Sequence, residues 1–277
     1  MNKSINHRHK KAIVIGLSSD IGAALCSSWV KDGWEIFGTY RTASKSVEEL
    51  RESTVQVVHC DLSETASIDL ALSQFGNSIN NWDVLVFSPG VQEPIGLFLE
   101  CDFGEWEKSF IVNFTSQLRL LHALLPLRNS KSSENGVTVL FFAGGGVNDA
   151  PTRYSAYTLA KISLIKAVEI FAAEMPDVKF LIVGPGWVKT KIHDSLFRSK
   201  EKAGLHYEKA FKIFEDDSFT LMNDVIDCCN HLIGGPLSTL SGRNYSVVFD
   251  EWDDPNFYKI LDENPNFFKL RRFGNKA

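Results

Sequence analysis

The chain lacks any apolar run approaching the ~18 residues that cross a bilayer, so no membrane-spanning helix is expected. It lacks a basic surplus as well. Lys and Arg number 29 against 34 Asp and Glu, a formal charge of −5. That balance argues against nucleic acid as a main partner, because domains that bind it carry a basic balance or stripe. Cysteine is scarce and unpatterned. Cys26, Cys60, Cys101, Cys228 and Cys229 are odd in number, and the adjacent Cys228 and Cys229 make poor paired ligands. They read as reduced thiols buried as small hydrophobes in a cytoplasmic protein, with no metal site. The start, through Lys10 and Lys11, is basic and polar, and the short apolar stretch behind it breaks at Gly16. It has neither the long apolar region nor the small-residue cleavage site of a signal peptide. Residues 1–10 are expected as a flexible, solvated arm. No repeat, low-complexity tract or linker interrupts the remainder.

What is present suits one large core. Of the 277 residues, 44 % are hydrophobic, and α/β sheets often run to about 250 residues as one unit. Short β-rich runs at 11–15, 34–40, 55–60, 84–87, 137–142, 178–183 and 245–249 alternate with helical patterns at 21–30, 68–75, 103–127, 155–174 and 224–233. Such alternation predicts parallel β-α-β units with right-handed crossovers and helices on both faces of a doubly wound sheet. Residues 187–219 are rich in charge and lack a clear long apolar face, so they read as an irregular substrate loop. They follow a strand end, on the side where open α/β sheets bind ligands.

The first strand runs into Gly16-Leu17-Ser18-Ser19-Asp20-Ile21-Gly22 and then a helix. Gly16 permits a tight turn and Gly22 a close backbone approach, while the free N–H groups and positive helix end attract a pyrophosphate. Ser18 and Ser19 add hydroxyls. Arg41 ends the second strand, where an acid would select a free ribose 2′-hydroxyl and a guanidinium suits a 2′-phosphate. With no acid there, NADP(H) is expected over NAD(H). Tyr157 and Lys161 stand four apart in a helical pattern and so share a face. Carbonyl reduction needs a proton on oxygen, and a nearby ammonium favours phenolate and lowers a phenol's pKa.

These motifs stand in the order of the short-chain dehydrogenase/reductase family: the glycine turn, Tyr157-x-x-x-Lys161 after the fifth strand, and Pro185-Gly186-Trp187-Val188-Lys189-Thr190 after the sixth. The chain resembles that family over about residues 11–250. The resemblance implies a single-domain, Rossmann-type α/β fold and a nicotinamide-dependent oxidoreductase. By the same resemblance, Asp61-Leu62 contacts adenine, and Pro185, Gly186, Val188 and Thr190 cap the nicotinamide. Tyr157 is the acid in reduction and the base in oxidation. Lys161 tunes Tyr157 and holds the nicotinamide ribose, and Asn113 organises a water leading to Lys161. Helices 103–127 and 155–174 pair across a two-fold axis in similar proteins, which implies a homodimer or homotetramer.

Three departures stand out. Asp20 replaces the family's middle glycine, so its carboxylate must point away from the phosphates. Phe87-Ser88-Pro89-Gly90 replaces Asn-Asn-Ala-Gly, so the supporting amide hydrogen bonds must be replaced or absent, while Ser88, Pro89 and Gly90 are still expected to line the cofactor through their backbone. The family's serine, about thirteen residues before the tyrosine, falls on Gly144. Either the substrate supplies its own group, another residue such as Asn148 or Thr152 moves in, or catalysis is weakened, and a serine restored at 144 is expected to add a donor. Near the C-terminus, Ser241-Gly242-Arg243-Asn244, Phe249-Asp250-Glu251-Trp252 and Leu270-Arg271-Arg272, with the triple glycine 144–146, are similar to a bacterial subgroup encoded with polysaccharide-biosynthesis enzymes. This implies a sugar or sugar-nucleotide substrate. Residues 251–277 are expected as an extension packing Phe257, Tyr258, Phe267 and Phe268 on the domain or on a neighbouring subunit. The competing readings are a cofactor-binding sensor or scaffold with little turnover, and an epimerase working by transient oxidation.

Overall fold

Seven parallel strands form one sheet in the order β3-β2-β1-β4-β5-β6-β7. They are β1 (Lys11–Ile15), β2 (Glu35–Tyr40), β3 (Gln56–His59), β4 (Val84–Phe87), β5 (Val137–Phe142), β6 (Val178–Gly184) and β7 (Arg243–Ser246). The computed structural model describes residues 10–130 and 135–272. The expected N-terminal arm, apart from Lys10, lies outside the described residues. The strand order reverses between β1 and β4, which opens the crevice where such sheets bind ligands.

Successive residues of a strand point to opposite faces, and here both faces are dry. Ala12 and Val14 of β1 join Val86, Leu140 and Leu181 in one core. Ile13 and Ile15 join Leu85, Val139 and Ile182 in the other. That is why the strands read as continuous apolar runs rather than alternating ones. Helices α1 (Asp20–Lys31) and α2 (Lys45–Glu52) add Leu25, Trp29 and Val47 to the first core. Helix α3 (Thr65–Ser78) adds Ile68 and Phe75 to the second. The segment read as one helix over 103–127 is α4 (Phe103–Phe110), a π-turn (Ile111–Thr115), α5 (Ser116–Leu124) and a final 3₁₀ turn. Helix α6 (Ser155–Glu174) packs beside it.

Residues 187–219 differ from the expected irregular loop. They hold a 3₁₀ turn (Lys191–His193) and helices α7 (Asp194–Arg198), α8 (Lys200–Ala203) and α9 (Leu205–Glu215). The 3₁₀ turn, α7 and α8 are too short to show a helical period by eye, and α9, although 11 residues long, buries Ala210 alone. Together they form a lid with its own small core, in which Leu196, Ala203 and Ala210 pack on Ile95 and Tyr154.

Helices α10 (Met222–Gly234), α11 (Leu237–Leu240) and α12 (Phe257–Glu263) complete the chain. Two buried cations anchor this end. Lys179, fully buried on β6, donates to the carbonyls of Ile233 (2.8 Å) and Gly235 (2.6 Å), where α10 ends. Arg243 on β7 donates to the carbonyls of Thr239, Leu261, Asn264 and Phe267. The aromatic extension therefore packs on its own domain, with Phe257 and Phe268 against Tyr245. Among the described residues no helix is long and apolar enough to cross a membrane.

Candidate active site

Strand ends β1, β2, β4, β5 and β6 open into one cleft of about 1780 Å³. All the sequence-predicted site residues except Gly22 and Asn113 line it.

The cleft floor is the β1–α1 turn. Gly16 takes φ +77°, and a Cβ there would meet Pro89 Cγ at 2.8 Å, so only glycine fits. Ser19 caps α1 by accepting from the N–H of Gly22 at 3.0 Å. The first-turn N–H groups of Asp20 and Ile21 have no intrahelical acceptor and border the cleft. This is a cradle with the donor chemistry of a pyrophosphate site. Ser88 supplies the support that the absent asparagines would give. Its hydroxyl lies 3.0 and 2.9 Å from the carbonyls of Ile15 and Gly16 and receives the Ser19 hydroxyl at 3.0 Å. A Cβ on Gly22 would lie 2.6 Å from Ser88 Oγ, so Gly22 is needed for this packing although it does not line the cleft.

Asp20 points away from the cradle, as its position demands. Its carboxylate accepts from the backbone N–H of Lys191 at 2.7 Å, and Lys191 Nζ lies 3.6 Å from its other oxygen. At the far side, Asp61 accepts from the N–H and the hydroxyl of Ser63 at 2.9 and 2.8 Å. Partial burial raises its pKa, but the Ser63 bonds and the charges of Arg41 and Lys108 together lower it. Arg41 is exposed at the cleft edge, beside Thr42 and Ser44.

Tyr157 and Lys161 meet at the centre. Lys161 is 2 % exposed. Its ammonium donates to the carbonyls of Phe142 (3.0 Å) and Pro89 (3.3 Å) and sits 5.8 Å from the centre of the Tyr157 ring. Burial pushes the Lys161 amine down to about 8 and the Tyr157 phenol up to about 12. The lowering of the phenol expected from the nearby ammonium is thus absent in the protein alone, because desolvation of the phenolate outweighs it.

Gly144 explains the missing serine. A Cβ at this position would sit 2.7 Å from Tyr157 Cε1 and 3.0 Å from its hydroxyl. The tyrosine ring occupies the space of the side chain, so a serine there requires the ring or the strand end to shift. The Asn113 amide is fully engaged by the backbone around it. Fully buried in the π-turn, its Oδ1 accepts from the N–H of Val91 (2.9 Å), and its Nδ2 donates to the carbonyls of Val91 (2.8 Å) and Ser109 (2.9 Å). The side chain is spent on holding the chain beside Gly90.

The end of the cleft at residues 185–190 is walled by the lid. Gly186 takes φ +76° with Thr220 and Val248 packed on it. Val188 Oxygen accepts from Thr190 Oγ1 at 3.3 Å and contacts His193 Nε2 at 3.0 Å. His193 stacks on Trp187, and Ile192 rests 3.1 Å from where a Gly90 Cβ would lie. Asn148 borders the cleft, whereas Thr152 does not. Among the lining residues that escaped the sequence reading are Tyr154 and His193. Tyr154, three before Tyr157, had a helical-spacing signal; His193 had none.

The family model for short chain dehydrogenase matches residues 10–201. The chain belongs to the short-chain dehydrogenase/reductase family and is an oxidoreductase. It is 28 % identical to an uncharacterized oxidoreductase of Schizosaccharomyces pombe over 202 residues, 71 % of this chain and 78 % of that one. It is 24 % identical to the 3-oxoacyl-[acyl-carrier-protein] reductase of Salmonella typhimurium over 200 residues, 71 % of this chain and 80 % of that one. The fold is similar to the KRED1-Pglu enzyme (TM-score 0.75, 20 % identity, 85 % of this chain and 99 % of that one). It is also similar to a variant of actinorhodin polyketide ketoreductase with NADPH (TM-score 0.73, 19 % identity, 86 % and 95 %).

Proposed function

We propose that the chain is an NADP(H)-dependent reductase that turns a ketone into a secondary alcohol, or runs the reverse, on a sugar or sugar-nucleotide substrate. The observation that carries this is the Tyr157–Lys161 pair, with its lysine pinned by Phe142 and Pro89 at the centre of a cleft whose floor is a phosphate cradle. The reductase names of the Salmonella relative and of the actinorhodin enzyme point the same way.

When bound, the nicotinamide supplies a hydride to the carbonyl carbon. Tyr157 gives its proton to the carbonyl oxygen, and the hydroxyl forms as the phenol O–H breaks. With a pKa near 12 the phenol arrives at neutral pH protonated, as a proton donor must. The resulting phenolate is stabilised by the ammonium of Lys161, held in place by its two carbonyl acceptors. The same ammonium has a third proton for the cofactor ribose. Asn113 is a positioning residue that fixes the Gly90–Val91 wall. The cradle residues Gly16, Ser18, Ser19, Ile21 and Gly22 serve the pyrophosphate. Asp61 and Leu62 serve adenine, while Pro185, Gly186, Val188 and Thr190 serve the nicotinamide. Arg41, on the same cleft as Lys108, favours a 2′-phosphate.

The working form proposed is a cytoplasmic homodimer or homotetramer. A stacked aromatic row, Phe103, Trp106 and Phe110, runs along α4, and Phe103 is 56 % exposed. That row suits pairing of α4 with its symmetry mate. The sensor reading draws support from the filled serine position at Gly144. One experiment separates the two: NADPH oxidation followed over a panel of keto-sugars, sugar nucleotides and simple ketones. Stoichiometric NADPH loss that disappears in Tyr157→Phe supports the reductase, and binding of NADPH without turnover on any member supports the sensor.

A further inference from the structure

Gly144 leaves the substrate one hydroxyl short, and Tyr154 on the same cleft carries an unused one. Tyr154 lines the cleft and is 6 % exposed, and its hydroxyl has no hydrogen-bond partner among the described residues. A buried hydroxyl without a partner is unfavourable and calls for an explanation. Its setting is built rather than accidental. Arg153, just before it, takes φ +74°, a left-handed conformation unusual for a bulky residue and often found at functional sites. Arg153 holds both sides of the cleft mouth. Its carbonyl accepts from Gly96 N at 2.9 Å, and its guanidinium donates to the Lys202 carbonyl of the lid at 3.1 Å. The Tyr154 ring is clamped between Ile95 and the lid residues Leu196, Ala203 and Ala210, with His206 edge-on at 5.1 Å. Tyr154 is the N-cap residue of α6, whose first turn carries Tyr157, so both stand at the same end of one helix.

We infer that Tyr154 is a specificity-determining residue whose hydroxyl donates to a second oxygen of the substrate, one beyond the carbonyl that Tyr157 protonates. The substrate class is therefore a ketone with an additional acceptor oxygen near the reacting carbon, as in a 3-oxo ester or a hydroxyketone of sugar type. The inference rests on the reductase reading of the site. Burial pushes the Tyr154 phenol up to about 12, so it stays a donor across the working range. Its ring also packs in the lid's small core, so the hydroxyl sits where the lid meets the start of α6.

The variant is Tyr154→Phe, which keeps the packed ring and removes only the hydroxyl. Three probes with NADPH separate the sources of the second oxygen: ethyl acetoacetate for an ester, dihydroxyacetone for a sugar-type hydroxyl, and 2-pentanone with neither. The expected result is a loss of about tenfold or more in kcat/KM on at least one oxygen-bearing probe, borne mainly by KM, with 2-pentanone changed less than about twofold; a tenfold change corresponds to ~1.4 kcal/mol. The Tm of the free protein is expected unchanged or raised, because the lost hydroxyl bonds nothing there. Equal loss on all three probes, no loss on any, or a clear fall in Tm overturns the inference. A wild type that reduces none of the probes counts against the reductase reading instead. The Tm comparison then decides Tyr154 alone, a fall marking the hydroxyl as structural and an unchanged or higher value as ligand-directed.

Discussion

The carboxylate of Asp20, in the first turn of α1, accepts a 2.7 Å hydrogen bond from the backbone N–H of Lys191, at the entrance to the lid. Two parts of the chain that close on opposite sides of the cleft are thereby tied at the residue that replaces the family's middle glycine. Asp20→Ala is expected to loosen the lid. A partly exposed charge-assisted bond of this kind is worth ~1–2 kcal/mol, or roughly five- to thirtyfold in the opening equilibrium. Trypsin, which cuts after Lys and Arg, reports opening through cleavage at Lys202, Lys209 and Lys212. Asp20→Asn keeps an acceptor oxygen and is expected to fall between the two. Equal cleavage rates for wild type and Asp20→Ala would show that the contact does not restrain the lid.

Gly144→Ser is expected to lose activity rather than gain it. The added Cβ would press on the Tyr157 ring at 2.7 Å, and either the ring or the β5 end must shift. Overpacking of this kind costs ~1–3 kcal/mol, and the ring displaced is the proposed proton donor. A fall in Tm together with at least a tenfold fall in kcat/KM is the outcome to look for. A faster variant would mean that the ring yields and the serine hydroxyl reaches the substrate.

The fold was legible because β-rich runs and helical patterns alternate in the chain, and because a sheet dry on both faces writes apolar runs into its strands. The phosphate turn and the Tyr157–Lys161 pair were legible for a local reason, since each is a short stretch whose geometry follows from spacing. What remained hidden depends on contacts between distant segments. Nothing near Ser88 tells that its hydroxyl reaches back to Ile15 and Gly16. Nothing near Gly144 tells that the Tyr157 ring fills its side-chain space. The lid helices were missed because α7 and α8 are only five and four residues long, and their burial comes from a core shared with Ile95 and Tyr154.

Cofactor preference is expected to turn on Arg41. It stands at the cleft edge beyond β2, and its charge reaches Asp61. A guanidinium–phosphate bond contributes ~1.5–3 kcal/mol. Arg41→Ala should therefore weaken NADPH by roughly ten- to a hundredfold and leave NADH within about twofold, as read by fluorescence titration. Equal wild-type affinities for the two cofactors would remove the claim.

Lys161 makes stability depend on pH in a window set by its own burial. Its amine has a pKa of about 8 in the folded chain against 10.5 as a free side chain. Between those values the unfolded chain holds the proton and the folded chain does not, so stability falls as pH drops from 10.5 to about 8 and is flat below. The difference amounts to ~3 kcal/mol. Lys179, also near 8, titrates over the same window, so the comparison must be with Lys161→Met rather than with wild type alone. The stability of wild type minus that of Lys161→Met, from urea unfolding, should rise by ~3 kcal/mol from pH 8 to 10.5. A difference that stays level across the window would mean that Lys161 keeps its proton in the fold.

The C-terminal segment is held by two arginines of very different worth. Arg271 pairs with Glu169 at 2.6 Å, with side chains 38 % and 21 % exposed. Water screens much of that attraction, so Arg271→Ala is expected to cost no more than ~1 kcal/mol. Arg243 is 5 % exposed and gathers the carbonyls of Thr239, Leu261, Asn264 and Phe267 around one guanidinium. The carbonyls of Thr239, Leu261 and Asn264 lie where α11 and α12 end, so the cation also meets the negative ends of two helices. Arg243→Met fills a similar volume but supplies no donor, and carbonyls left buried without partners cost ~1–3 kcal/mol each. Some will find water at the partly exposed end near Phe267, so a total of ~3–5 kcal/mol is expected rather than the full sum. Arg243→Lys restores one charge but not the planar fork, and should recover less than half of the loss. Because α12 packs Phe257 and Leu261 on the first core, beside Tyr245, the loss should spread to the sheet and not stop at the tail. Urea unfolding followed by both tryptophan fluorescence and circular dichroism tests this. Coincident transitions shifted by the expected amount support it, while a tail that melts alone, ahead of an unchanged main transition, would show that Arg243 anchors the extension without stabilising the domain.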